Sequence, residues 1–303
     1  MNHDEHLLVL LNTAYKIPDH TRTSSTNIHV SDLIDFCPRE YWLCKTQDRG
    51  YHPHKYHTMG SKYTFDMGHA IQKIMVHRLL TQQVLFGAWR CRHCNDLTYG
   101  FQEGRMSCDK CKCRALKYED LGVEYAIPVN TKPKTQIVVV GHIDFIIATS
   151  EERGFVVDGK SIKAKGCDKC RDDGQDFDSL KPAPQGEPSE KYKRQVRLYM
   201  HLPGKKGAKI VGRPRDERAA NFVIDPQHAV VCYAAKGQRP QPFKPYLVRQ
   251  LPAFVEGIDQ KLAVLKRSLE KNTSPPKICT APNNLMAKEC SCRDICFDQR
   301  LDK

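Results

Sequence analysis

The sequence predicts an α/β protein in which a mixed central sheet is flanked by helices and interrupted by a small cysteine-rich insertion. Three observations carry this: apolar residues at helical spacing early and late in the chain, β-rich runs between them, and two Cys-x2-Cys pairs placed before the main strands. Taken in order, the spacing predicts a helix over 31–47 and a second over 66–86, the latter burying Met67, Ile71, Ile74, Met75 and Leu79 on one face. The insertion covers 87–117. Strands follow near 123–128, 137–148 and 154–160, then a helix over 189–202, strands at 220–224 and 229–235, and an amphipathic helix over 245–271. The stretch 163–188, rich in Lys, Asp, Gly and Pro, reads as a mobile insertion. No internal repeat interrupts this order, and the whole reads as one domain with insertions.

At 303 residues and 40% hydrophobic content the chain can bury a substantial core. No segment approaches the roughly eighteen consecutive apolar residues of a membrane span, so no membrane partner is expected. Residues 1–11 lack the basic start and apolar core of a secretory signal, which predicts a cytoplasmic protein with reduced thiols, in a host cytoplasm if the chain is phage-encoded. The formal net charge of +13 favours a polyanionic partner, because neutralising phosphates releases condensed counterions. Lys205, Lys206, Lys209, Arg213 and Arg215 form a segment suited either to phosphate contacts or to a solvated tether.

The chemistry-bearing residues begin with Gly141-His142-Ile143-Asp144. Fourteen residues after that aspartate, Phe155-Val156-Val157 leads into Asp158-Gly159-Lys160. Side chains alternate along a strand, so Asp158 and Lys160 share a face, while Asp144 points away from Ile143 and Phe145. Asp-Gly-Lys is also ordinary turn chemistry. Two carboxylates and an ammonium in one cleft can instead hold Mg²⁺ or Mn²⁺, lower the pKa of a bound water and offset charge developing on a phosphodiester. In the helix over 189–202, Gln195 and Tyr199 are spaced i,i+4 and share a face with Tyr192.

The order Gly-x-x-Asp, Asp-x-Lys, Gln-x-x-x-Tyr resembles the RecB-like branch of the PD-(D/E)xK nuclease superfamily. The resemblance implies a restriction-endonuclease-like fold, metal ligation by Asp144 and Asp158, a catalytic Lys160, and Gln195 and Tyr199 contacting the site or the DNA. That family places a metal-binding histidine four residues after a glycine. Here Gly68 is followed at that distance by Gln72, with His69 directly after the glycine, so both remain candidates. Glu124, on the strand before the one carrying Asp144, is a further acidic candidate.

Fourteen cysteines in a reduced compartment point to metal before disulfides. Cys91-x2-Cys94 and Cys108-x2-Cys111, thirteen residues apart, have the spacing of a zinc ribbon, with Cys113 able to replace Cys111 and His93 a surface residue. The insertion has little apolar content of its own, so zinc is expected to supply folding energy. Near the two ends of the chain stand Cys37, in a Cys-Pro-Arg context, and Cys279, Cys290, Cys292 and Cys296. This arrangement resembles the iron-sulfur staple of the Cas-four and AddB nucleases. The resemblance implies a 4Fe-4S cluster on Cys37, Cys279, Cys290 and Cys296, with Cys292 spare; a structural zinc or free thiols are the alternatives. Ala287 stands where the family usually has another cysteine. Cys44 and Cys232 read as core residues, and Cys167-x2-Cys170 as part of a surface loop.

The function expected from these residues is a Mg- or Mn-dependent DNA exonuclease acting at DNA ends, with a single-strand preference, in phage or host recombination, replication or repair. The alternatives are a Cas-four-type nuclease of CRISPR spacer acquisition, and a non-catalytic nucleic-acid-binding module. A recombination, replication or CRISPR protein is the expected protein partner.

Overall fold

The computed structural model describes residues 27–47, 59–82, 84–101, 107–119, 121–132, 134–150, 153–163, 188–211, 223–236, 243–288 and 290–297. They group into two compact units: one draws on Cys37–His69 and Val264–Lys303, the other on Asn27–Phe36 and Ala70–Ala263. Residues 164–187, with Cys167 and Cys170, and Arg213 and Arg215 lie outside the described residues.

The larger unit holds two mixed sheets. In the four-stranded one the order is β1 (Ile28–His29), β6 (Thr135–Ile143), β5 (Leu121–Val129), β9 (Ala208–Val211). The eight-stranded one runs β12 (Phe243–Arg249), β11 (His228–Lys236), β8 (Arg153–Lys163), β7 (Phe145–Ala148), β2 (Leu85–Cys91), β3 (Leu97–Phe101), with β10 (Val223–Ile224) beside β8 and β4 (Leu116–Glu119) beside β2. The run read as one strand over 137–148 is therefore two. Asp144 is the single residue between β6 and β7, where the chain leaves one sheet for the other.

Central β8 is covered on both faces along Phe155-Val156-Val157, which is why that run is apolar without alternation. Val157 joins Met75, Leu85, Trp89, Phe145, Cys232 and Ala234 in a core cluster against α3 (Met59–Thr81). The opposite face, bearing Asp158 and Lys160, lies toward α4 (Glu190–His201), which buries Val196, Leu198, Tyr199 and Met200. Ile143 and Phe145 are buried as the alternation requires.

Three predicted helices have different bounds, each for a local reason. The helix expected over 31–47 is broken into α1 (Val30–Leu33) and α2 (Pro38–Thr46), because Pro38 opens a new helix and holds Cys37 extended at φ −110°, ψ 107°. α3 ends at Thr81, and Leu85 and Phe86, expected at its end, instead pair with Ile147 and Ile146. Pro245 to Arg249 belong to β12, paired to β11, and the late helix, α5, spans Pro252–Lys271.

The insertion is continuous with the main sheet through β2 and has apolar content of its own. Trp89 is buried, donates its ring N–H to the Gly100 carbonyl at 3.1 Å and meets Tyr118 edge-on at 5.3 Å between ring centroids. In the smaller unit, α2 buries Tyr41, Leu43 and Cys44. The short helices α6 (Leu285–Lys288) and α7 (Arg293–Cys296) follow α5, and Arg39, itself buried, donates to the Pro275 carbonyl at 3.0 Å.

Candidate metal and nucleic-acid site

Asp144, at the switch between the sheets, is paired in neither ladder. Its Oδ2 accepts the Gly159 amide at 2.8 Å, and Gln72 of α3 donates a side-chain hydrogen bond to it. Asp158 Oδ1 takes the Lys160 ammonium at 2.8 Å, and Lys160 Nζ sits 5.0 Å from the centre of the Tyr192 ring. Asp158 is almost wholly buried, and its other oxygen, Oδ2, is buried with no hydrogen-bond donor among the described residues. Asp144 lies close enough to share a proton with Asp158. Once both are carboxylates, neither can donate, and Oδ2 is left as a bare acceptor, which is costly unless a cation fills the place.

Burial, then the charge on Asp158, pushes Asp144 up to about 7, against the lowering effects of Lys160, the Gly159 amide and Gln72. Burial also raises Asp158 in spite of Lys160. Lys160 is raised: burial opposes its charge, but Asp158 and Asp144 outweigh it. Without metal, the folded chain holds the Asp144 proton more tightly than the unfolded chain does. That contribution to stability is complete below the ordinary carboxylate value of 3.8 and is lost as pH rises through about 7. Metal-free wild-type protein is therefore expected to lose stability relative to Asp144→Asn across this window, read as the difference in denaturant midpoints, and divalent metal is expected to restore it. Parallel pH profiles for the two proteins would refute this.

Gln195 and Tyr199 support the site from α4. Gln195 and the His142 amide hydrogen-bond to Tyr199, whose hydroxyl is raised by burial and by the charges of Asp158 and Asp144. The glycine of Gly-x-x-Asp now has a packing reason. A Cβ on Gly141 would lie 2.6 Å from Val30 Cγ2 and 2.7 Å from Tyr199 Cε1. Gly141→Ala is expected to cost about 1–3 kcal/mol by overpacking, measured by chemical denaturation; an unchanged midpoint would contradict this.

Of the other acid and histidine candidates, Gln72 is joined to Asp144 and His69 is exposed on α3. Glu124 lies in the other sheet, in register with Val140 and Lys209. Lys205 and His201 are engaged by Asp259, the histidine at 3.0 Å, and Lys209 is part of β9. Lys205 is thus committed to a carboxylate rather than standing in a solvated tether.

Strand register reveals residues that sequence reasoning missed. Tyr233 on β11 stands beside Lys160 in one direction and Lys244 of β12 in the other, while Val231 aligns Asp158 with Tyr246. The ring of Tyr233 meets Tyr192 at 6.2 Å and Tyr246 at 5.7 Å, and the Lys244 ammonium lies 5.3 Å from the centre of the Tyr246 ring. A row of tyrosines with a lysine at each end thus leads from the carboxylates to β12. Only the lysine–aromatic interleaving could have signalled it, and that has meaning only once the register is known.

The four ribbon cysteines, Cys91, Cys94, Cys108 and Cys111, hold their sulfurs within 4.8 Å of one another and form a site that could bind a metal ion. The two knuckles repeat one turn. Asn95 and Lys112, each directly after the second cysteine, both adopt φ 59°, and their amides donate to the Cys91 and Cys108 carbonyls at 3.0 and 2.9 Å. The Cys94 amide, with that of His93, holds Cys91 down to about 6. The Cys111 amide, with that of Lys110, lowers Cys108. Cys94 is raised although the Asp96 amide lowers it, because burial and neighbouring sulfurs prevail. Cys111 is pushed up to about 12 in the same way against the Cys113 amide. Cys113 lies outside the four. Four crowded thiols that resist ionising together suit a cation at their centre.

In the smaller unit, Cys37, Cys279, Cys290 and Cys296 are linked pairwise through their charges, without the close packing of sulfurs seen in the other group of four. Burial raises Cys37 to about 11 against the Glu40 and Arg39 amides at the start of α2, and it is near enough to Cys279 and Cys290 for charge on one to be felt at another; Cys279 stands likewise to Cys296. Burial and the Glu40 carboxylate push Cys290 up to about 12. Cys44, expected as a core residue, is buried but placed against Cys292 at 2.7 Å between sulfurs. Cys232 is in the core cluster as expected.

No family model matches the chain, and no curated protein matches it. Among solved structures, one titled "Crystal structure of SSO0001" is similar at a TM-score of 0.38 and 12% identity, over 98% of this chain and 96% of that one. A likeness of that size carries no argument about fold or function.

Proposed function

We propose that the protein is a metal-dependent deoxyribonuclease of the RecB-like, PD-(D/E)xK type. The observation that carries this reading is the buried Oδ2 of Asp158, left without a donor among the described residues once the Asp144 carboxyl beside it ionises, with Lys160 on the same strand. A structural ion pair needs one acid for one lysine; a second buried acid, with an oxygen left open, suits a divalent cation bound by oxygen ligands. Mg²⁺ or Mn²⁺ held by Asp144 and Asp158 would supply Lewis-acid chemistry and an activated water.

The protein's own groups have separate tasks. Gln72 and the Gly159 amide fix the orientation of Asp144. Lys160, kept protonated by the two acids, faces the charge that grows on the phosphate. Tyr199 and Gln195 fasten α4 over the site. The net charge of +13 and the lysine-flanked tyrosine row favour DNA, with bases of an unpaired strand stacking on the half-buried rings of Tyr192 and Tyr246 while the buried Tyr233 holds the two apart. In this reading zinc occupies the ribbon and a 4Fe-4S cluster occupies Cys37, Cys279, Cys290 and Cys296, and the protein works with recombination, replication or repair machinery in a cytoplasm.

The test is incubation of purified protein with end-labelled single- and double-stranded DNA in Mg²⁺, Mn²⁺ or EDTA. Shortening from the ends with metal, none with EDTA, and faster loss of the single strand are expected. DNA binding without cleavage under every condition would replace the nuclease with a binding module. The ribbon has its own check. Wild-type protein should carry about one zinc that is lost when Cys91 and Cys94 are both changed to Ser, the rest of the chain staying folded; unchanged zinc would refute the assignment.

A further inference from the structure

We infer that Cys44 and Cys292 form a reversible dithiol–disulfide pair, separate from both metal-type cysteine groups and independent of the nuclease reading. Cys44 lies on α2 and Cys292 immediately before α7, 248 residues apart in sequence. Both side chains are buried and their sulfurs are 2.7 Å apart. The ribbon supplies an internal comparison: its sulfurs pair at 3.5 Å (Cys91 with Cys111) and 3.4 Å (Cys94 with Cys108). Two thiolates at about 2.3 Å from one tetrahedral ion stand about 3.7 Å apart, so the ribbon spacing fits shared ligation and the Cys44–Cys292 spacing does not. A disulfide needs about 2.05 Å, and the contact of 2.7 Å is nearer to that than to the ribbon spacing.

The surroundings agree. Ser291 donates both its amide and its hydroxyl to Glu40 Oε1 at 2.9 Å, which fastens the residue next to Cys292 onto α2 and holds the sulfurs facing each other. Cys292 is thereby committed to Cys44, and the remaining four cysteines of this unit are left for a cluster.

Oxidation balances with a low-molecular-weight disulfide as the oxidant. The thiolate of one cysteine attacks that disulfide, forming a mixed disulfide and releasing one small thiol. The second cysteine, giving up its proton, then displaces the other small thiol as the Cys44–Cys292 bond forms. Two protein thiols lose two electrons and two protons, and the small disulfide gains them. Because both sulfurs are buried, exchange proceeds through local opening of the segment ahead of α7. The bond then ties α2 to the end of the chain whether or not a metal group is bound.

The test uses anaerobically purified full-length protein equilibrated in glutathione buffers from reducing to oxidising, followed by alkylation of free thiols, proteolysis and mass spectrometry. A cross-linked peptide containing Cys44 and Cys292 should appear with oxidation and vanish with dithiothreitol. Thermal unfolding of wild type should shift upward on oxidation, whereas Cys44→Ala should not respond. Iron and zinc contents should be the same in Cys44→Ala and Cys292→Ala as in wild type. Full alkylation of both cysteines in the most oxidising buffer would overturn the proposal, and so would loss of metal from Cys292→Ala, which would make that residue a ligand.

Discussion

Asp158→Ala and Lys160→Ala are expected to lower metal-dependent DNA cleavage by at least about a hundred- to a thousandfold while the protein stays folded, the scale on which loss of one preorganised charged group is felt. The two variants should fail differently. Asp158→Ala removes the carboxylate whose Oδ2 is open and should weaken metal binding, so that excess Mn²⁺ recovers part of the rate. Lys160→Ala leaves both acids, and therefore the metal, but removes the charge facing the phosphate, so no metal concentration should rescue it. Removing the ammonium also leaves two buried acids without their cation, and metal-free Lys160→Ala should be less stable than wild type. Cleavage within a few fold of wild type by either variant would contradict the assignment.

The second large effect concerns the chain ends. Cys37 stands at the break forced by Pro38, where the first amides of α2 point at its sulfur, and the residues that join it lie more than two hundred positions later. If a cluster links them, Cys37→Ser should bleach a brown anaerobic preparation, remove about four irons per chain and lower stability by roughly 2–5 kcal/mol, the scale of losing a native cross-link. Cys292→Ser should keep the colour. Colourless wild-type protein with about two zincs and no iron would make the terminal site a structural zinc, leaving the carboxylate site untouched.

Much of the site was legible because its parts are local. A strand places Asp158 and Lys160 on one face whatever the sheet, and a helix turn places Gln195 near Tyr199, so Asp-x-Lys and Gln-x-x-x-Tyr survive any tertiary arrangement. The Cys-x2-Cys knuckles are legible for the same reason. Gln72 was reached through the family's spacing, and its bond to Asp144 is a tertiary fact. What the pattern of residues could not disclose depends on pairing. The apolar run through Ile143 and Phe145 gives no sign that the chain changes sheets at Asp144, because both strands bury their side chains equally well. Leu85 and Phe86 fit a helix face as readily as the strand they form, since short apolar runs carry no decisive period. The Lys160–Tyr233–Lys244 row exists only through the registers of β8 with β11 and of β11 with β12, and the Cys44–Cys292 contact only through the meeting of α2 with the end of the chain.

A divalent cation held by Asp144 and Asp158 is the centre of the proposed function, and the most direct measurement is titration of Mn²⁺ into metal-free protein with free Mn²⁺ read by electron paramagnetic resonance. Wild type should bind Mn²⁺ with affinity that rises with pH through about 7, as Asp144 gives up its proton. Asp144→Asn and Asp158→Ala, folded to the same extent, should lose that binding. Equal Mn²⁺ uptake by wild type and both variants would place the metal elsewhere and contradict a cation site at Asp144 and Asp158.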